Sequence, residues 1–206
     1  MQSTKKLTII VLAAILFSSC AKIFYSPDAY TLARNQKIIA IIPPTVSIAA
    51  KKKINAEALK EQQKTESINF QKEMYSWMLK RKMQGKISQE FQEIETTNAK
   101  LKKAGYPENL LTTAELCEVL GVDGIMTSNY GLSKPLSEGA AIAEAFLVDS
   151  RSSTNVVHAS LSISDFSSKK LIWNYDYKSS GGLGSSPSKL VDNLMREASK
   201  KMPYMN

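Results

Sequence analysis

The chain is poor in the residues that catalysis and metal binding draw on. Its 206 residues hold one histidine, His158, and two cysteines, Cys20 and Cys117. Metal sites are built from clusters of Cys, His and carboxylates, and this inventory offers no such cluster. No cofactor-binding motif is present either. Nucleophilic catalysis needs a base beside a serine or cysteine. His158 is the chain's one imidazole base, and nothing in the sequence places a nucleophile against it. Val157, Ala159, Leu161 and Ile163 alternate with it, so His158 falls on the outer side of a strand, next to Ser160 and Ser162. That is the setting of an ordinary surface histidine. Carboxylate pairs meet only in space, so that route to a hydrolase stays open. The chain has no internal repeat. It also lacks a long apolar run: residues 7–17 are eleven uncharged positions, against roughly 20 for a membrane-spanning helix.

What is present is an export signal. Lys5 and Lys6 precede the apolar run, and Ser18 and Ser19 follow it. A positive start, a short apolar stretch and small residues are the three parts of a secretory leader. The last four residues, "FSSC", resemble a bacterial lipobox, with Phe17 where leucine is commoner. The resemblance implies thioether lipidation of Cys20 and cleavage between Ser19 and Cys20. Two acyl chains hold a protein on a membrane stably where one does not, so the lipid membrane is one expected partner. Ala21, rather than aspartate, follows the cysteine, which implies the outer membrane. "AKIFYSPD" has no acidic cluster, which implies a periplasm-facing protein. Removing residues 1–19 leaves roughly 187 residues, enough for one sizeable core. Cys117 then has no disulfide partner, and in "AELCEVLG" it occupies a helical apolar position suited to a small buried residue.

The formal charge is +8. Residues 51–103 carry 13 basic and 7 acidic side chains, and the rest of the mature chain is balanced. This is either a solvated helix face or a face that attracts anionic headgroups or wall-polymer carboxylates. Nucleic acid is not an expected partner of an exported chain.

Residues 20–36 read as the lipidated cysteine and a tether, and residues 37–206 as a single globular domain. Sixteen extended residues reach on the order of 50 Å, so the tether would hold the domain off the membrane. "KIIAIIPP" reads as a strand buried on both faces and stopped by Pro43 and Pro44. Phe70, Met74, Trp77 and Arg81 step by four, three and four, which marks an amphipathic helix over 66–83 ended by Gly85. A short strand over 88–94 and a helix from Thr97 to Gly105 follow. Thr112 and Glu115 form a capping box for a helix stopped at Gly121. Residues 124–132 read as a strand. Residues 139–148 are apolar and Ala-rich, either a buried helix or a contact patch. Leu171, Trp173, Tyr175 and Tyr177 alternate, so they and the strand of His158 make an antiparallel hairpin. A last helix has Ser186 as cap, Pro187 at its first position, Leu190, Val191, Leu194, Met195 and Ala198 inward, and Pro203 as its end.

The expected fold is therefore α+β: a mixed sheet of four to five strands with helices packed on it. "KIIAIIPP", "LCEVLGVDGIMTSNYG" and "VVHASLSISDFSSKKLIWNYDY", in that order, resemble the periplasmic lipoproteins related to the TolB amino-terminal domain. That group includes the activators of penicillin-binding proteins and the curli-secretion lipoproteins. The resemblance implies an interaction or assembly factor of the cell envelope, with a protein partner and no catalysis. Curli-type pores need two membrane hairpins of about 9–11 residues per strand, and the insertion over 133–155 is too short for both. A second reading rests on "SSGGLGSSPSK". Gly181, Gly182, Gly184, Ser185 and Ser186 lie between a strand and a helix, where backbone amides can bind an anion. Lys189 and the glycine spacing depart from a P-loop, so the other reading of this loop is a turn and helix cap.

Overall fold

The structure, a computed structural model, describes residues 21–49, 55–132, 155–181 and 187–205. Ser19 and Cys20, the apolar residues 139–148, and Gly182, Gly184, Ser185 and Ser186 lie outside the described residues. The strands are β1 (Lys22–Tyr25), β2 (Ile38–Ile41), β3 (Thr45–Ile48), β4 (Glu90–Phe91), β5 (Gly124–Leu132), β6 (Asn155–Asp165) and β7 (Lys170–Gly181). The helices are α1 (Ala29–Asn35), α2 (Ala56–Met83), α3 (Ile94–Lys103), α4 (Thr113–Leu120) and α5 (Pro187–Ser199). The α+β expectation holds, with a mixed sheet of seven strands in the order β1-β7-β6-β5-β2-β4 and with β3 also on β5. None of the described helices is long and apolar enough to cross a membrane.

The sheet has a parallel and an antiparallel half. β2 and β3 both run parallel to β5, β2 along Gly124 to Met126 and β3 along Asn129 to Leu132. They are one strand in two pieces. Pro43 and Pro44 cannot donate to a ladder, so the break falls there. α2 bridges it: Gln71 donates to the Ile41 carbonyl at 2.8 Å and exchanges amide hydrogen bonds with Asn98 of α3. β6 and β7 pair antiparallel through a bulge between Ile163 and Ser164, where Ile163 opposes Trp173 and Ser164 opposes Leu171. The bulge adds one residue, so Ile172 is buried and Leu171 is 44% exposed. The unbroken alternation expected from Leu171 to Tyr177 fails at that point.

Apolar spacing places the core on both faces of β2. Ile39 and Ile41 join the larger cluster, with Phe70, Met74, Trp77 and Met78 of α2 and Val191, Leu194, Met195 and Ala198 of α5. Ala40 and Ile42 join the smaller one, under Leu101, Leu116, Cys117 and Leu120 of α3 and α4. The α4 capping box is present as expected, and Gly121 stops that helix in the left-handed conformation, φ 67°.

Four expectations are corrected. Residues 21–36 are not a tether: β1 pairs antiparallel with β7, and Ala29 and Ala33 of α1 are fully buried. The folded domain thus includes residues upstream of Lys37, from Lys22 on. The long helix starts at Ala56, where the Asn55 side chain accepts the Glu57 N–H at 2.9 Å. Its first turns bury Gln62 and Glu66 rather than apolar residues, so no apolar stripe announces them. α3 starts at Ile94, leaving a strand of two residues before it. α5 ends at Ser199, short of Pro203.

Candidate functional site

The helices cover the sheet unequally. α2 and α5 close one face, whereas α3 and α4 close the other only over the start of β5 and over β2. Among the described residues, nothing covers the rest of that second face, which is polar. Strand register aligns its residues in rows, because side chains of paired residues share a face. Ser47, Gly131, His158 and Lys178 form one row. Thr45, Asn129, Ser160, Asp176 and Lys22 form the next. Thr127, Ser162, Asn174 and Phe24 form the third.

The middle of this face is organised by hydrogen bonds. Asn174 donates to the Ser160 and Ser162 hydroxyls, both at 3.0 Å. Three short polar side chains on adjacent strands therefore hold one another in place. A shallow depression of about 550 Å³ lies toward Lys22, His158, Asp176 and Lys178. The face presents hydroxyl, amide and mixed charged groups and, among the described residues, the exposed aromatic Phe24. Such a surface offers many weak polar contacts and no enclosed reaction site. His158 stands exposed on it, as the alternation required.

The residues leading into β5, Val122 to Gly124, each have a structural role. Val122 packs in the smaller cluster. The Asp123 carboxylate accepts the backbone N–H groups of Lys37 and Ile38 at 2.8 and 2.9 Å, which fixes the start of β2. At Gly124 a Cβ would meet the Gln36 side-chain amide at 2.6 Å. That amide is the hub of a buried network. Gln36 donates to Asp165 at 2.9 Å and accepts from the Tyr204 hydroxyl at 2.5 Å. Asp165 also accepts from the Ser167 hydroxyl and from the Ser168 N–H and hydroxyl. Burial alone would raise the Asp165 pKa, but these donors outweigh it and hold the carboxyl below its ordinary value. Burial, then the Asp165 charge, pushes the Tyr204 phenol well up. Sequence reading missed this network; the one local signal was the turn "DFSSKK".

A second concavity, of about 960 Å³, runs between the first half of α2, Pro43 and Pro44, and the loop at Tyr106 and Pro107. Lys60, Lys64 and Lys102 line it together with Glu57, Glu61 and Glu108, so it carries no single charge. Cys117 is fully buried and free, and burial, with Asp165 and Asp123 nearby, raises its thiol to about 11. Among the described residues no group of three His, Cys, Asp or Glu is placed to hold a metal ion. Of the glycine-rich loop, Gly181 is described: it ends β7 opposite Asn155. β7 is antiparallel to both its neighbours, unlike the buried parallel strand that precedes a nucleotide-binding loop.

No protein-family model matches the chain, and no curated protein matches it. Solved structures do resemble it. The lipoprotein GNA1162 from Neisseria meningitidis is 13% identical, with a TM-score of 0.45 over 80% of this chain and 96% of that one. The PelC dodecamer from Paraburkholderia phytofirmans is 8% identical, with a TM-score of 0.43 over 91% and 99%. The LpoB C-terminal domain from Salmonella enterica is 10% identical, with a TM-score of 0.33 over 70% and 81%. At these identities and scores the likeness is one of chain path and carries nothing about activity.

Proposed function

We propose that the chain is a non-enzymatic lipoprotein, anchored through acylated Cys20 on the periplasmic side of the outer membrane, whose open sheet face binds a protein of the envelope. What supports this reading is the lipobox-like "FSSC" together with a polar sheet face that the described residues leave uncovered. β1, the edge of that face, begins two residues after Cys20. The hydrogen-bonded Ser160, Ser162 and Asn174 cluster holds this part of the face in one arrangement for a protein surface to meet.

One experiment in intact cells tests both halves. Wild-type chain is expected to take up labelled palmitate and be cleaved, and Cys20→Ser to stay uncleaved and unlabelled. Label on the substituted chain would put the anchor elsewhere. In the same cells, a photo-cross-linker at the exposed Asn129 is expected to give a discrete heavier adduct. Recovery of the uncross-linked chain alone, at native expression, would refute the binding face.

A further inference from the structure

The anchor reading fixes a height. If Cys20 carries the lipid, Ala21 alone separates it from the first strand of the sheet. Two residue steps reach at most about 7 Å, comparable to the thickness of the headgroup layer on one side of a bilayer, roughly 5–7 Å. Lys22 therefore enters the sheet at headgroup level, and the domain has no slack with which to stand away.

The edge that arrives there is unusually apolar for a free edge. Among the described residues β1 is outermost in the sheet, and no described strand pairs with the other side of its backbone. Ile23 is 37% exposed, Phe24 49% and Tyr30 52%. Tyr30 leads out of the same segment through α1 and stacks on Tyr25, with ring centroids 5.6 Å apart. Leu171 on the paired strand, two residues past the Tyr25–Trp173 pair, is exposed as well. Natural sheets blunt open edges with charge, proline, cover or a short strand; β1 is only four residues long and carries one charge, Lys22. Aromatic rings with one polar end and exposed aliphatics belong at the boundary of water and lipid, where headgroups and water also satisfy unpaired backbone groups.

We infer that β1 lies flat on the phospholipid surface, with Ile23, Phe24 and Tyr30 immersed in the headgroup region and Lys22 beside lipid phosphates. The sheet then stands edge-on to the membrane, and its open polar face is turned sideways, parallel to neither lipid nor bulk solvent. A strand running upright would instead lift Phe24 about 14 Å from the anchor, clear of the headgroups. The inference rests on acylation of Cys20.

The test uses full-length acylated protein in phosphatidylethanolamine–phosphatidylglycerol vesicles. A nitroxide is placed at Phe24→Cys, and in separate proteins at Tyr30→Cys and at Leu110→Cys, a loop site 95% exposed. Buried Cys117 stays unlabelled under native conditions. Mass spectrometry of each protein records acylation of Cys20. The expected result is a severalfold lower collision rate with a water-soluble nickel chelate at 24 and 30 than at 110, and a higher one with oxygen. Equal, aqueous rates at all three sites on acylated protein would overturn the flat strand while leaving the anchor intact. Unacylated Cys20 would overturn the anchor, and this inference with it. Spin–spin broadening at 24, abolished by dilution with unlabelled protein, would mean a second copy covers the edge instead. Should Phe24→Cys fail to fold, Tyr30→Cys, on an already half-exposed side chain, reads the same immersion.

Discussion

Phe70→Ala is expected to destabilise the domain by about 3–5 kcal/mol, the range for emptying a large aromatic site in a core. Phe70 is 1% exposed and its ring stacks on Tyr130 of β5, with centroids 4.2 Å apart. The contact joins the long helix α2 to the centre of the sheet, beside the proline break between β2 and β3. Met74, the next residue inward along the helix, accepts from Ser128 at 3.4 Å, so the same helix face grips β5 twice. Tyr130 and Met74 are themselves buried, so the space left by the ring is only partly refilled. Urea unfolding at pH 7 reads the loss, and Phe70→Leu, which keeps most of the volume, should lose clearly less. A loss below about 1 kcal/mol for the alanine variant, within the ordinary scatter of surface changes, would mean that α2 does not pack as described.

Asp165→Asn is expected to cost about 1–3 kcal/mol at pH 7, because it leaves either the buried Gln36 amide or the partly exposed Ser167 and Ser168 donors without an acceptor. The carboxylate takes hydrogen bonds from Gln36, Ser167 and Ser168, and one amide oxygen cannot replace both of its oxygens. The pH dependence follows from the direction of the shift. The folded carboxyl has a lowered pKa. Its contribution is therefore complete above the unfolded value of about 3.9 and is lost as pH falls through the folded value. Wild-type chain should lose more stability than Asp165→Asn between pH 5 and acid. Parallel urea midpoints for the two proteins over that range would remove Asp165 from the network's energetics.

The parts of this fold that were legible in the sequence are local. The Thr112 and Glu115 box, the Gly121 stop and the β6–β7 hairpin each depend on residues close together in the chain, and each is present. β2 was legible because a strand buried on both faces must be apolar at every position. What failed to show depended on distant partners. "KIFY" becomes a strand because β7 supplies its ladder from the other end of the chain, and its outer edge needs no apolar pattern. The first turns of α2 bury Gln62 and Glu66, so hydrophobic spacing there is silent. The bulge at Ile163 shifts alternation by one, which turned Leu171 outward and Ile172 inward. The open polar face was half legible. Its β6 and β7 residues followed from alternation, but Lys22 and Phe24 were hidden in a segment read as a tether. The Gln36, Asp165 and Tyr204 network joins three distant parts of the chain, and no spacing rule connects them.

The pairing of β1 with β7 also sets an order of events. A chain is made from its amino end, and domains of mixed topology close their distant pairings late. β6 and β7 are neighbours in sequence and can meet as soon as both exist. β1 is synthesised first yet has no ladder until residues as late as Asp176 have appeared. For that whole interval Ile23 and Phe24 lack their place in the sheet, and Ala29 and Ala33 have no core to enter. The segment that begins the domain is thus the one that must wait, and a chaperone or a membrane surface that occupied it in the meantime would be guarding the final closing step of the fold.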